Sequence, residues 1–195
     1  MGFDFETHFP SNPTTLAYRI ANRTVITMVA SASKIWLEWL NRTHCVNKER
    51  FFDLLHDRSR PLITVSNHHS CIDDPLMWGI ATWRDILFRH SCCRWTLTAE
   101  DVAFKKGWHA KFFTLGRNIP VVRGEGVYQR GIAFATDLLT NHNQWIHIFV
   151  QGKINLTQKV QTRIKWGVGQ MISDCKLLPR VLPVWHVGKT HVFVY

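Results

Sequence analysis

Pro61-Leu62-Ile63-Thr64-Val65-Ser66-Asn67-His68-His69-Ser70-Cys71-Ile72-Asp73-Asp74-Pro75-Leu76 reads as a strand, a polar turn and a helix start in immediate succession. A β-branched run after a proline predicts a short buried strand over residues 61–65. Asp73-Asp74-Pro75 is a helix-start signal, with Asp74 as the N-cap, Pro75 at the first helical position and the helix running over residues 76–82. Open α/β sheets place ligands at the C-terminal ends of their strands, so the turn between these elements is the first place to look for chemistry.

Working outward, residues 118–122, 145–150 and 181–187 read as three further strands. Residues 48–56, 127–139 and 166–175 read as helices. Strands alternating with helices predict an α/β fold, a mixed, partly parallel sheet flanked by helices in a single domain. No repeat, low-complexity tract or Gly/Ser/Pro-rich linker divides the chain. The natural division is residues 1–45, an N-terminal membrane-associating helix, and residues 46–195, the main domain.

The 195 residues suffice for one well-packed domain, and 46% hydrophobic content excludes a disordered chain. The formal charge of +10 suits a nucleic acid or the anionic face of a membrane. Nine Trp and twelve Phe favour the membrane, because indole sits well at a bilayer interface; no RRM, KH or zinc-finger signature accompanies them. Five Cys form no CxxC pair and cannot all pair internally, which argues against a secreted disulfide framework. Three glycosylation sequons, at Asn22, Asn41 and Asn155, carry little weight. Residues 1–10 include Asp4 and Glu6 and lack the basic start and apolar centre of a signal peptide. Residues 24–40 are interrupted by Lys34 and Glu38 and fall short of a membrane span. Ile35, Trp36, Trp39 and Leu40 follow helical spacing, giving an interfacial helix with Trp36 and Trp39 toward lipid, or a helix packed on the domain's own core.

Within the turn, His68 is a natural general base near neutral pH. Asp73, five residues on, is placed to fix its tautomer if a bend brings the two together. The alternative is that Asp73 and Asp74 merely cap a helix and leave both histidines exposed. A metal site at His68, His69 and Asp73 is disfavoured, since adjacent histidines seldom aim at one ion. Ser70 or Cys71 as nucleophile lacks the G-x-S-x-G elbow.

His68 to Asp73 resembles the His-x-x-x-x-Asp motif of the glycerolipid acyltransferases, and other motifs of that family follow in order. Gly116-Arg117-Asn118-Ile119-Pro120-Val121-Val122-Arg123 resembles the second, Phe149-Val150-Gln151-Gly152 the third and Leu178-Pro179-Arg180-Val181-Leu182-Pro183-Val184 the fourth. The likeness covers roughly residues 35–188 and is strongest to members that exchange acyl chains between phospholipids. It implies a glycerolipid-acyltransferase-like domain in which His68 and Asp73 are catalytic. Arg123 would hold a headgroup phosphate, with Gln151, Gly152 and Lys153 beside the substrate. The resemblance further implies phosphatidylcholine as donor, monolysocardiolipin as acceptor, no coenzyme A or other cofactor, no metal, a cardiolipin-rich anionic membrane and a mitochondrial location.

Two departures stand out. Gln151 replaces the family's usual Glu and Val150 its usual Pro, so a charge is lost while hydrogen bonding is kept. The chain also stops at Tyr195, soon after the fourth motif, where the resembled proteins continue. Three rival expectations follow: a coenzyme A-dependent acyltransferase with the same dyad, a catalytically silent membrane-binding relative and a basic nucleic-acid binder.

Overall fold

The computed structural model describes residues 15–105, 107–155 and 163–187. Residues 1–10, two residues of the third sequon (Leu156 and Thr157), Gly188 and Tyr195 lie outside them.

Five short strands form one sheet in the order β3-β2-β4-β1-β5: β1 Leu62–Ser66, β2 Trp95–Ala99, β3 Asn118–Val121, β4 Trp145–Phe149 and β5 Arg180–Val184. Every pairing among the described residues is parallel, so the α/β expectation holds with a sheet that is parallel rather than mixed. β1 runs in register with β4 on one side (Leu62 opposite Trp145) and β5 on the other (Leu62 opposite Arg180).

Parallel strands are covered on both faces, and alternate side chains feed two cores. Ile63, Ile119, Ile146 and Ile148 pack on one face against Ile132, Ala135 and Leu139 of helix α7 (Arg130–His142) and Val168 and Met171 of α8 (Gly167–Asp174). Leu62 and Trp145 point to the other face. There they meet Phe51 and Leu55 of α2 (Lys48–His56), with the Trp78 indole edge-on to Trp145 at 4.6 Å.

Helix α1 (Leu16–Glu38) lies over this second layer. Its Lys34 is turned inward, with Nζ donating to the Ala81 carbonyl at 2.8 Å and pairing with Glu38. The charge that interrupts the apolar run is thus part of the packed face. The outward side carries Ala17, Ile20, Thr24, Met28 and Ile35, all exposed and uncharged, while Arg19 and Arg23 are exposed charges nearer the helix start, Arg23 donating to the Leu87 carbonyl at 3.0 Å. Trp36 is 40% exposed, and Trp39, just past the helix end, 74%. α1 is therefore packed on the domain along one side and open along the other. No helix among the described residues is long and apolar enough to cross a membrane.

Several sequence expectations shift. α3 spans Asp73–Met77 and passes into a 3-10 turn at Trp78–Ile80, earlier than expected, and its N-cap is Ile72. Asp74 is not the cap: its carboxylate is held by the Arg94 guanidinium and the Trp78 indole N–H. Thr82 does not end this helix but caps the next, α4 (Trp83–Phe88), accepting the Asp85 N–H while its hydroxyl donates to the Asp85 carboxylate. α7 begins at Arg130 because the Gln129 amide closes the preceding loop, taking the Val122 N–H and donating to the Gly126 carbonyl. Strand β2 and helices α4, α5 (Glu100–Ala103) and α6 (Gly107–Leu115) have no counterpart in the sequence reading.

A Cβ at Gly79 would lie 2.5 Å from the Ser33 carbonyl oxygen of α1, closer than atoms approach. Gly79→Ala is expected to push α1 off the domain and cost about 1–3 kcal/mol, as overpacking does. A lowered thermal midpoint with a faster-exchanging α1 backbone would show it.

Candidate active site

The strands are parallel, so their C-terminal ends share one edge of the sheet, and the loops leaving β1, β4 and β5 meet there. Asp73 is fully buried at the start of α3. Its Oδ2 accepts from the backbone N–H groups of His69 at 2.7 Å and Ser70 at 2.9 Å, and lies 3.1 Å from His68 Nδ1. The bend that the five-residue spacing requires is thus made by the carboxylate itself, which draws the loop N–H groups over it. Burial pushes the Asp73 carboxyl upward, but hydrogen bonds from His68, Ser70 and His69 and the proximity of His186 outweigh that and leave it below its ordinary value.

An ionised carboxylate only accepts, so His68 Nδ1 carries a proton and Nε2 keeps its lone pair. The ring is stacked on Phe149 of β4 with centroids 4.0 Å apart. The His68 backbone is pinned from the β4 side as well: its N–H donates to Gln151 Oε1 at 3.3 Å and its carbonyl accepts from Asn155 N–H at 2.8 Å. His69 differs. It supplies a backbone N–H to Asp73, and its ring lies edge-on to His186 at 5.9 Å.

Gln151 therefore stands beside His68 and acts through its carbonyl oxygen. Gly152 follows at φ +69°, a left-handed turn next to the Lys165 side chain, and Lys153 is exposed at the rim. Arg123 leaves β3, at the far side of the sheet, roughly 14 Å of inter-strand spacing from β1. Its guanidinium is engaged by exposed Asp101 at 3.0 Å. Thus His68, Asp73, Gln151 and His186 are brought together, whereas Arg123 sits further along the same edge. Trp36 and Trp39 lie on α1, outside this cluster.

Behind the dyad runs a buried polar chain. The Trp145 indole N–H donates to the Thr64 hydroxyl (2.9 Å), which lies 2.8 Å from His147 Nδ1. His147 Nε2 is 3.3 Å from the Ser66 hydroxyl, which donates to the Asn67 carbonyl. His147 is fully buried, and burial pushes its pKa down to about 3 against the opposing pull of Asp74. From sequence, His147 reads only as part of a strand. The network became visible once β1 and β4 were in register.

An apolar cavity of about 350 Å³ lies between α1 and the domain. Val25, Ile26 and Val29 of α1 form one wall and Phe112 and Phe113 of α6 another, and the cavity reaches Cys71 of the loop and Asp74 and Pro75 of α3, while neither His68 nor Asp73 lines it. Its size and lining fall within the range of small-molecule sites.

The chain matches the acyltransferase family over residues 22–187. It is 38% identical to tafazzin of Drosophila melanogaster, over 96% of this chain and 50% of that protein, and 38% identical to taffazin of Dictyostelium discoideum, over 84% and 59%. It is also 35% identical to N-acylphosphatidylethanolamine synthase of Arabidopsis thaliana, over 87% and 60%. The chain spans between half and three-fifths of the length of these relatives. It belongs to the acyltransferase family.

A histidine kept neutral by burial makes stability fall as pH falls. The unfolded chain takes up a proton near 6.5, whereas folded His147 resists until about 3. Between pH 6.5 and 5 this contributes about 2 kcal/mol of lost stability. Urea midpoints across that range are expected to fall, and His147→Gln is expected to flatten the slope whatever it does to stability at pH 7.

Proposed function

We propose that this acyltransferase moves fatty acyl chains between phospholipids and lysophospholipids at a membrane surface, in cardiolipin remodelling on mitochondrial membrane faces. The observation that carries the reading is the buried, ionised Asp73 on His68 Nδ1, which leaves Nε2 as a base at the C-terminal edge of the sheet. His68 Nε2 takes the proton of the acceptor hydroxyl as its oxygen attacks the donor's ester carbonyl. The tetrahedral intermediate collapses, the donor leaves as a lysophospholipid, and the departing oxygen regains the proton from His68. Asp73 stabilises the imidazolium throughout.

The cavity suits an acyl chain. Arg123 exchanges Asp101 for a headgroup phosphate, an inexpensive swap since an exposed ion pair is worth about 0–1 kcal/mol. Lys153 adds charge at the rim, and the left-handed turn at Gly152 lets the chain bend past Lys165. The apolar outer stripe of α1, with Trp36 and Trp39, lies in the bilayer interface, and the net positive charge, exposed Arg19 and Arg23 included, favours anionic lipid. Phosphatidylcholine is the proposed donor and monolysocardiolipin the acceptor, as the resemblance of the motifs implies.

The test uses purified protein, acyl-labelled phosphatidylcholine and monolysocardiolipin in liposomes without coenzyme A. Label is expected in cardiolipin. Transfer only after adding acyl-coenzyme A assigns the coenzyme-dependent reaction instead. Label on the amine of phosphatidylethanolamine assigns the chemistry named by the plant relative. His68→Ala is expected to lower the rate by about two to four orders of magnitude, and His69→Ala far less, because His69 serves Asp73 through its backbone.

Gln151 offers a carbonyl oxygen to the His68 N–H, a task a carboxylate also performs. Gln151→Glu is therefore expected to raise activity by about fivefold at most, the gain of a charged over a neutral acceptor, and Gln151→Leu to lower it. A gain of several orders of magnitude from Glu would mean that the charge itself is required and that the wild-type chain is catalytically impaired.

A further inference from the structure

Two residues beyond β5, a third histidine comes up against the Asp73 carboxylate. His186 Nε2 lies 2.9 Å from the Asn67 carbonyl oxygen and 3.5 Å from Asp73 Oδ2. A carbonyl can only accept, so Nε2 carries a proton and donates it to Asn67, which leaves that edge of the ring 3.5 Å from the Asp73 carboxylate. The His186 side chain is 11% exposed.

Its placement is built rather than incidental. Asn67, itself buried, donates through Nδ2 to the His186 carbonyl at 2.7 Å and accepts the His186 N–H on Oδ1 at 3.1 Å. The asparagine side chain thereby imitates one more residue pair of the β1–β5 ladder, after the strands themselves have ended. Three hydrogen bonds to one residue fix the height and direction of the imidazole. The groups facing Asp73 are then His68 from the loop, the His69 and Ser70 N–H groups, and His186 from β5.

We propose that His186, clamped by Asn67, is a positioning residue for acyl transfer: its Nε2–H, bonded to the Asn67 carbonyl and 3.5 Å from Asp73 Oδ2, holds the Asp73 carboxylate in the orientation that aims His68. The role rests on the acyl-transfer reading, but the geometry it invokes does not. His68 reaches Asp73 from a loop whose backbone is held by Gln151 and Asn155, whereas His186 reaches it from the segment just beyond β5. A small rotation of the carboxylate would swing the His68 ring away from the acceptor oxygen, and misplacement of about 1 Å can cost a hundredfold in rate.

The test reads two signals on the same full-length proteins. One is the low-field proton resonance of His68 Nδ1–H on Asp73, assigned by its absence in His68→Ala. The other is the kcat and KM of acyl transfer. His186→Leu keeps bulk but offers no donor, and is expected to lose or broaden the resonance and lower kcat between about tenfold and a hundredfold with little change in KM. His186→Gln restores an N–H at similar reach and is expected to recover the resonance and most of kcat. Asn67→Ala is expected to resemble His186→Leu, and the double variant to be no worse than either, since the two act as one unit. If His186→Leu folds and retains both the resonance and kcat, the positioning role is wrong; equal losses in Leu and Gln variants would likewise reject the donor role. If the resonance responds as expected while the wild-type chain transfers no acyl group, the positioning geometry stands and the acyl-transfer reading falls.

Discussion

A carboxylate removed from water must be met by donors if it is to keep its charge, and the region around β1 is organised by that requirement at Asp73. Desolvating an ion costs several kcal/mol, which only well-aimed hydrogen bonds offset. Asp73 obtains them by folding its own loop: the His69 and Ser70 N–H groups turn inward, His68 presents Nδ1, and α3 starts where this turn ends. The position of the proton on His68 follows from the charge on Asp73. The spare Nε2 lone pair, the reactive feature of the site, is thus a consequence of how one acid is buried.

The parts of this arrangement that depend on neighbouring residues were legible in the sequence. The β-branched run before His68 and the apolar spacing of α2 declared themselves, and His68 and Asp73 are close enough in the chain for a single turn to unite them. What depended on distant segments was not legible. In β2, Trp95 and Leu97 alternate with threonines, and the pattern becomes a strand only because β3 and β4 pair with it. Gln151 looked like a lost charge, yet in the fold it is a carbonyl meeting a backbone N–H. Arg123 matched its motif, but the strand order that sets it at the far side of the sheet cannot be read from spacing. His186 lay in the expected strand over residues 181–187 without a role, because its partner Asn67 lies 119 residues earlier.

α1 shows how one helix satisfies two surroundings. The charges that made it look unlike a membrane segment are disposed of internally or at its end, Lys34 against the Ala81 carbonyl and Glu38 beside it. Thr24, on the open side, donates its hydroxyl back to the Ile20 carbonyl at 2.9 Å, so that donor is satisfied within the helix. The outer stripe is less polar than composition suggests. The same helix walls the apolar cavity, so the proposed lipid-facing surface and the proposed acyl site are opposite sides of a single element.

The strand order also has a bearing on how the chain is made. β1 lies between β4 and β5, and both are synthesised more than eighty residues after it. As the polypeptide leaves the ribosome, the strand that carries the dyad loop emerges with neither lateral neighbour, its backbone groups unpaired and its apolar side chains bare. Long-range parallel pairing is slow, and such intermediates are prone to stick to whatever apolar surface is near. His68 and Asp73 acquire the surroundings described above only when β5 docks. Catalytic geometry is then a late event in the life of the nascent chain, and a chaperone or a lipid surface would meet β1 before β5 does.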